Sequence, residues 1–158
     1  MQNITFHKAT SADIQTLINS RVEFLSEYWG SQNENSELKL REELKTYFEN
    51  SLQNKSYHCW IAKVENEFAG IGGMVIQQRP GSFRAPDGRS AYIMNMYTVP
   101  KFRKMGIATM LLEKLIESGK QAGIYFYELH ATKEGESVYV KGGFELHKEP
   151  TYRKFIKQ

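Results

Sequence analysis

The spacing of apolar residues changes repeatedly along this chain, and each change predicts an element. Ile4 and Phe6 alternate with polar neighbours, so Asn3–Lys8 reads as a strand. The stretch TSAD that follows offers a capping box, with Thr10 as the cap and Asp13 reaching back. Ile14, Leu17, Ile18 and Leu25 then recur at helical spacing. The polar run Gly30–Glu37 reads as a loop, and Leu40, Leu44, Tyr47, Phe48 and Leu52 mark a second helix. The period then shortens to two. Tyr57–Val64 and Phe68–Gln77 read as antiparallel strands joined by a turn at Glu65–Glu67. Two prolines and two glycines make Arg79–Ser90 a long exposed loop. Ala91–Val99 is a further strand, stopped by Pro100. A long helix runs from about Gly106 to Ala122 with Gly123 as its C-terminal cap. Ile124–His130 reads as a strand, EGESVYVKGG as a short helix ended by glycines, and Phe144–Phe155 as one or two last strands.

The strand–helix–strand unit over 91–131 requires a parallel pair with a right-handed crossover, while the hairpins require antiparallel pairing. The sheet is therefore mixed, not doubly wound.

Composition narrows the class. The chain has 158 residues, 41% hydrophobic and 25% charged, as expected of one globular domain with its own core. A net charge of +3 is met by a solvated basic surface, so no nucleic-acid partner is expected. The N-terminal MQNITFHKAT lacks an apolar signal core and no run reaches spanning length, so no membrane partner and a cytoplasmic, bacterial-type location are expected. Cys59, the single cysteine, sits in an apolar stretch and reads as a buried structural thiol. No metal site is expected.

The chemistry concentrates in VPKFRKMGIATMLL, Val99–Leu112. Lys101, Arg103 and Lys104 precede Gly106 at the point where a helix starts. That end of a helix already carries unpaired N–H groups and the positive pole of the dipole. Cations there are unfavourable unless an anion arrives, and a pyrophosphate fits such a turn. Gly106 would let backbone approach the phosphates, and the small Ala108 would keep the helix close to the ligand. Neither a Walker loop nor a G-x-G-x-x-G fingerprint is present.

Arg103-Lys104-Met105-Gly106-Ile107-Ala108 resembles the R/Q-x-x-G-x-G/A signature of the GNAT N-acetyltransferases. It follows a strand ending MNMYTVP and precedes LHAT and VYVKGGF, the last similar to that family's Y-x-x-x-G-F segment. The likeness is close over Ala91–Phe144; before that only the element order agrees. It implies one GNAT domain over residues 1–158. Its α/β fold would be a mixed, mostly antiparallel sheet of six to seven strands, with strands 4 and 5 a splayed parallel pair, flanked by about four helices.

The resemblance also implies acetyl-coenzyme A as co-substrate. Main-chain groups of Tyr97, Thr98 and Val99 would pair with the pantetheine arm in the splayed gap. Amides of Lys104, Met105, Gly106, Ile107, Ala108 and Thr109 would hold the pyrophosphate, with Arg103 and Lys104 adding charge. Thr132 stands where many relatives carry an asparagine, which puts that side-chain contact in doubt. Lys141 could approach the coenzyme or could be an ordinary exposed lysine.

Acetyl transfer needs a neutral amine, a donor for the carbonyl oxygen and a proton for the departing thiolate. Tyr139, four residues before Gly143, occupies the position of the family's thiolate-protonating tyrosine. The oxyanion donor would be a main-chain N–H near Met96 or Tyr97. Asn95 shares a strand face with Tyr97 and could orient the amine or a water. Glu23 and Glu27, one turn apart on the first helix, are candidate bases, and removal of the proton by water stays open. His130 could relay a proton, though a structural histidine is the plainer reading.

The acceptor would be a primary amine of a small molecule or peptide, bordered by Arg79–Ser90 and Arg21–Glu37. Arg21, Arg79, Arg84 and Arg89 would suit a carboxylate on it. A homodimer stays open, as do two other activities: a non-catalytic acyl-coenzyme A sensor and a protein lysine or N-terminal acetyltransferase.

Overall fold

The structure, a computed structural model, describes residues 3–156. Of the domain expected over 1–158, residues 1, 2, 157 and 158 lie outside the described residues. The chain forms β1 (Ile4–Lys8), α1 (Ile14–Trp29), α2 (Glu34–Gln53), β2 (Tyr57–Val64), β3 (Glu67–Gln78), β4 (Arg89–Thr98), α3 (Ile107–Gln121), β5 (Tyr127–Glu128) and α4 (Glu136–Lys141). The strands make one sheet in the order β1-β2-β3-β4-β5. The first four are antiparallel neighbours and β5 is parallel to β4.

Local chemistry accounts for most of the boundaries. The Thr10–Asp13 capping box forms, with the Thr10 N–H donating to Asp13 Oδ2 at 2.9 Å and the Ala12 N–H to Thr10 Oγ1 at 3.3 Å. Glu65 and Asn66 both have positive φ, 48° and 68°, the signature of a two-residue type I′ turn that matches strand twist. Gly123 ends α3 in the left-handed region at φ 75°, and the Ile124 N–H returns to Gly119 O at 2.8 Å.

Three expectations need correction. The loop expected over Gly30–Glu37 ends at Asn33, whose side chain accepts from the Ser36 N–H at 2.9 Å and starts α2 early. Glu34 and Glu37 then sit in the first turn, where the dipole favours them. The strand expected over Ile124–His130 shrinks to Tyr127–Glu128, because only those two residues find ladder partners on β4. No strand forms over Phe144–Phe155, so the sheet has five strands among the described residues instead of six or seven. A strand needs an edge to pair with, and β5 offers a very short one. The segment is pinned instead by Phe144, whose N–H donates to Tyr139 O at 3.0 Å, and by Thr151, whose hydroxyl meets His130 Nε2 at 3.3 Å.

The sheet separates two packing layers. Leu17, Ile18 and Val22 of α1 and Phe48 of α2 pack with Tyr57, Cys59, Ile61, Ile71 and Tyr97 on one face. Leu111, Leu112 and Leu115 of α3 cover the other, against Ala62, Val64, Ala69, Met74, Ala91 and Ile93. Each large apolar side chain buried this way contributes roughly 1.5–3 kcal/mol, so both layers hold the sheet firmly. Cys59 is 1% exposed, and burial pushes its thiol well above the ordinary range, as befits a structural thiol.

Candidate active site

The site is built where β4 and β5 part. Ala91 and Tyr92 are the residues of β4 that pair with β5, opposite Tyr127 and Glu128. The Ala91 N–H donates to Phe126 O at 2.9 Å. Beyond Tyr92, β4 runs on to Thr98 without a β5 partner among the described residues. The expected splayed pair is therefore present, and the free edge of β4 faces the opening.

On its other edge β4 carries a bulge. The pairing with β3 skips between Ile71 and Gly73, leaving Asn95 and Met96 out of register. Asn95 has φ 54°, a left-handed conformation that asparagine tolerates better than most residues. Its side chain is 7% exposed. Nδ2 donates to the Tyr57 hydroxyl at 2.8 Å, while Oδ1 is buried with no partner. Tyr97, two residues on, joins the same α1-side core, as the alternation required.

The basic turn ends in two left-handed residues, Lys104 at φ 64° and Gly106 at φ 79°. Alternation of this kind turns successive N–H groups inward, a concavity suited to an anion. No side chain caps α3 at its start. Ile107 is fully buried and anchors the first turn to the sheet, whereas Thr109 is exposed and Ala108 and Met105 are half-buried. A Cβ on Gly106 would meet nothing closer than Met110 Cε at 3.9 Å. Glycine is required there for its φ, not for want of room.

Arg103 is already engaged. Its Nη2 donates to both oxygens of Glu27, at 2.6 and 2.8 Å, and its Nε to Thr98 O at 3.0 Å. The pair ties α1 to the basic turn, with both side chains nearly half exposed. Glu23 and Glu27 lie near the Tyr97 hydroxyl, whose pKa is raised by burial first and by those two charges next.

Tyr139 lies on α4, half-buried against Phe144 with ring centroids 6.1 Å apart. Burial, and secondarily the neighbouring Tyr92, pushes its hydroxyl up to about 12. It is a firm proton holder at neutral pH. Tyr92 stands at the fork itself, with its hydroxyl 2.5 Å from His130 Nδ1. Thr132 is used locally: its Oγ1 accepts from the Gly135 N–H at 3.2 Å. Lys141 is exposed on α4.

The loop expected over Arg79–Ser90 ends at Gly88, because Arg89 and Ser90 pair with Gln78 and Gln77 of β3, and it closes on itself. Arg79 N–H donates to Gly88 O at 2.9 Å, and Gln78 Nε2 to Asp87 O at 2.7 Å. Arg79 also pairs with Glu128 at 3.2 Å, which places the root of the loop beside the last β4–β5 pair.

Tyr92 and Tyr57 were not singled out by sequence. The adjacent glycines Gly72 and Gly73 inside β3 were the available signal, since strand glycines mark bulges or close approaches. A Cβ on Gly73 would fall 2.1 Å from the Tyr57 hydroxyl oxygen. Among the described residues no group of histidines, cysteines and carboxylates could hold a metal, and no helix is long and apolar enough to cross a membrane.

A mixed sheet whose parallel pair opens beside an uncapped, glycine-led helix start is the frame of a coenzyme A-dependent acyltransferase. Comparison with known proteins agrees. The model of the acetyltransferase (GNAT) family matches residues 21–144. A predicted acetyltransferase from Clostridium acetobutylicum, solved with acetyl-CoA, is 32% identical with a TM-score of 0.87, covering 96% of each chain. A GCN5-related N-acetyltransferase from Ralstonia eutropha JMP134 is 20% identical with a TM-score of 0.84, covering 96% of this chain and 99% of that one. Glucosamine-6-phosphate N-acetyltransferase from Arabidopsis thaliana is 19% identical with a TM-score of 0.71, covering 98% and 99%. No curated protein sequence matches. The chain belongs to the GNAT acetyltransferase family. It is thus an acyltransferase of the kind that draws on acetyl-coenzyme A.

Proposed function

We propose that this chain transfers an acetyl group to a primary amine of a small molecule or peptide by direct attack, with Tyr139 as general acid. The observation that carries this reading is the half-buried Tyr139, packed against Phe144 and the cluster that holds Ala91 and Ile93 of β4, where burial pushes its hydroxyl up to about 12. When bound, the coenzyme supplies the acetyl group as an activated thioester. The amides of Lys104 through Thr109 would hold its pyrophosphate, and the unpaired edge of β4 at Tyr97, Thr98 and Val99 would receive its pantetheine arm. Tyr139 gives up its proton at Oη to the leaving sulfur. Asn95, whose buried Oδ1 has no partner within the chain, orients the amine. Because Glu27 is bound to Arg103, water is the better candidate to take the amine's proton.

The test is a thiol-release assay against a panel of amines, with Tyr139→Phe as the informative variant. It keeps the ring and deletes the donor. Turnover should fall roughly 10²-fold or more, with acetyl-CoA affinity unchanged. Wild-type kcat under chemistry-limited conditions would remove Tyr139 from the mechanism.

A further inference from the structure

Arg21 is the arginine of this chain that the fold half-buries beside the fork without giving it an acid. It lies in the middle of α1, with its guanidinium carbon 5.8 Å from the Phe24 ring centre. Tyr57, Tyr92 and Tyr47 are near enough for their ionisation to be felt by its charge. Among the described residues no carboxylate reaches it, whereas Arg41, Arg79 and Arg103 pair with Glu37, Glu128 and Glu27. Arg84 is exposed, Arg153 is exposed although its charge acts on the Tyr92 hydroxyl, and Arg89 starts β4 with its guanidinium beside Gly123. Desolvation lowers the pKa of Arg21 below the ordinary arginine value. A guanidinium partly withdrawn from water and left without a counter-ion carries a desolvation cost, which an arriving anion offsets.

A second, independent observation stands beside it. Asn95 is 7% exposed, and its Oδ1 has no hydrogen-bond partner. Its Nδ2 is bonded to Tyr57, one of the tyrosines that neighbour Arg21. A buried acceptor atom left unmatched calls for a donor that the chain itself does not supply. α1 and this stretch of β4 share one core, where Ile18, Val22 and Phe24 pack with Tyr57, Met94 and Tyr97. The α1-side face of β4 thus holds a buried, unmatched hydrogen-bond acceptor, and α1 beside it holds an unmatched cation.

We propose that Arg21 is the anion-recognising residue of the acceptor site, and that the amine acetylated here carries a carboxylate or phosphate. This rests on the acetyl-transfer reading above. The amine's N–H meets Asn95 Oδ1, and the anion takes the planar guanidinium donors, which match two oxygens at once. Arg21 contributes nothing to the coenzyme site, which α3 and the β4 edge build on other residues.

The test uses amino acids, their amides and aminoalkyl phosphates of equal chain length, with wild type, Arg21→Gln and Arg21→Lys. Thiol release gives KM and kcat, and calorimetry gives acetyl-CoA affinity. Wild type should favour the anionic amines. Arg21→Gln should raise their KM roughly 10²-fold or more while kcat and the KM for neutral amides change little. Arg21→Lys should restore part of the loss. Preference between carboxylate and phosphate in wild type names the anion. Equal use of amides and acids by wild type, or an equal loss for both in Arg21→Gln, overturns the proposal. Calorimetry of the same anionic amines with the coenzyme A complex stands apart from turnover. Binding that depends on Arg21 with no transfer would sink the acetyl-transfer reading and keep the anion site. Binding indifferent to Arg21 would sink the anion site alone.

Discussion

Replacing Gly106 isolates one backbone angle from everything else in the site. Its φ of 79° is left-handed, and the space around a Cβ there is open, with Met110 Cε the nearest atom at 3.9 Å. Gly106→Ala therefore introduces no clash. It adds the left-handed cost of an L-residue, about 1–2 kcal/mol, partly offset by a stiffer unfolded chain worth about 0.4–1 kcal/mol. The net loss is about 1 kcal/mol, or roughly 2–4 °C in Tm for a chain of this size. If the turn relaxes to relieve φ, at least one of the N–H groups proposed to hold the pyrophosphate is misdirected. A charge-assisted hydrogen bond is worth about 1.5–3 kcal/mol, so acetyl-CoA affinity should weaken roughly tenfold or more. Gly106→Asn is the control, because asparagine tolerates left-handed backbone and should recover much of both losses. Thermal unfolding reads the first quantity and isothermal calorimetry the second. An alanine variant with unchanged Tm and unchanged affinity would refute the assignment. So would an asparagine variant no better than alanine, since bulk and not φ would then control the site.

Gly73→Ala places a methyl 2.1 Å from the Tyr57 hydroxyl oxygen and should cost about 1–3 kcal/mol by overpacking, and Gly73→Ala with Tyr57→Phe should recover part of it in denaturant melts. Glu27→Gln releases the Arg103 guanidinium; with both groups nearly half exposed, stability should change by under about 1 kcal/mol, while an unchanged kcat would exclude Glu27 as base. Tyr139, raised to about 12 by burial, stays protonated, so kcat should not decline through its ionisation below about pH 11, and an alkaline limb that vanishes in Tyr139→Phe at lower pH would contradict this. Stability linked to that proton is lost only as pH rises from about 10 through about 12, where the folded state holds it and the unfolded state does not. Replacing residues 79–88 by a short glycine-serine turn should raise acceptor KM with acetyl-CoA affinity nearly unchanged; an unchanged kcat/KM would mean that the loop only joins β3 to β4.

The sequence by itself determined what is local. The Thr10–Asp13 capping box, the Glu65–Asn66 turn, the Gly123 helix stop and the basic, glycine-led start of α3 all form as read, because each depends on a few adjacent residues and their φ preferences. Period gave the helices and strands that build the core, and the strand–helix–strand unit gave the parallel pair. The tertiary structure decided whatever needed a partner from elsewhere in the chain. Phe144–Phe155 has the composition of strands but no long edge to join, so it stays outside the sheet. Glu27 has the spacing of a candidate base, yet Arg103, 76 positions away, takes its carboxylate. Arg21 stood among other arginines of equal promise until packing withdrew water from it and offered no acid. A side chain's charge is written in the sequence; whether that charge is solvated, paired or left waiting for a ligand depends on contacts between residues far apart, and only the folded chain makes them.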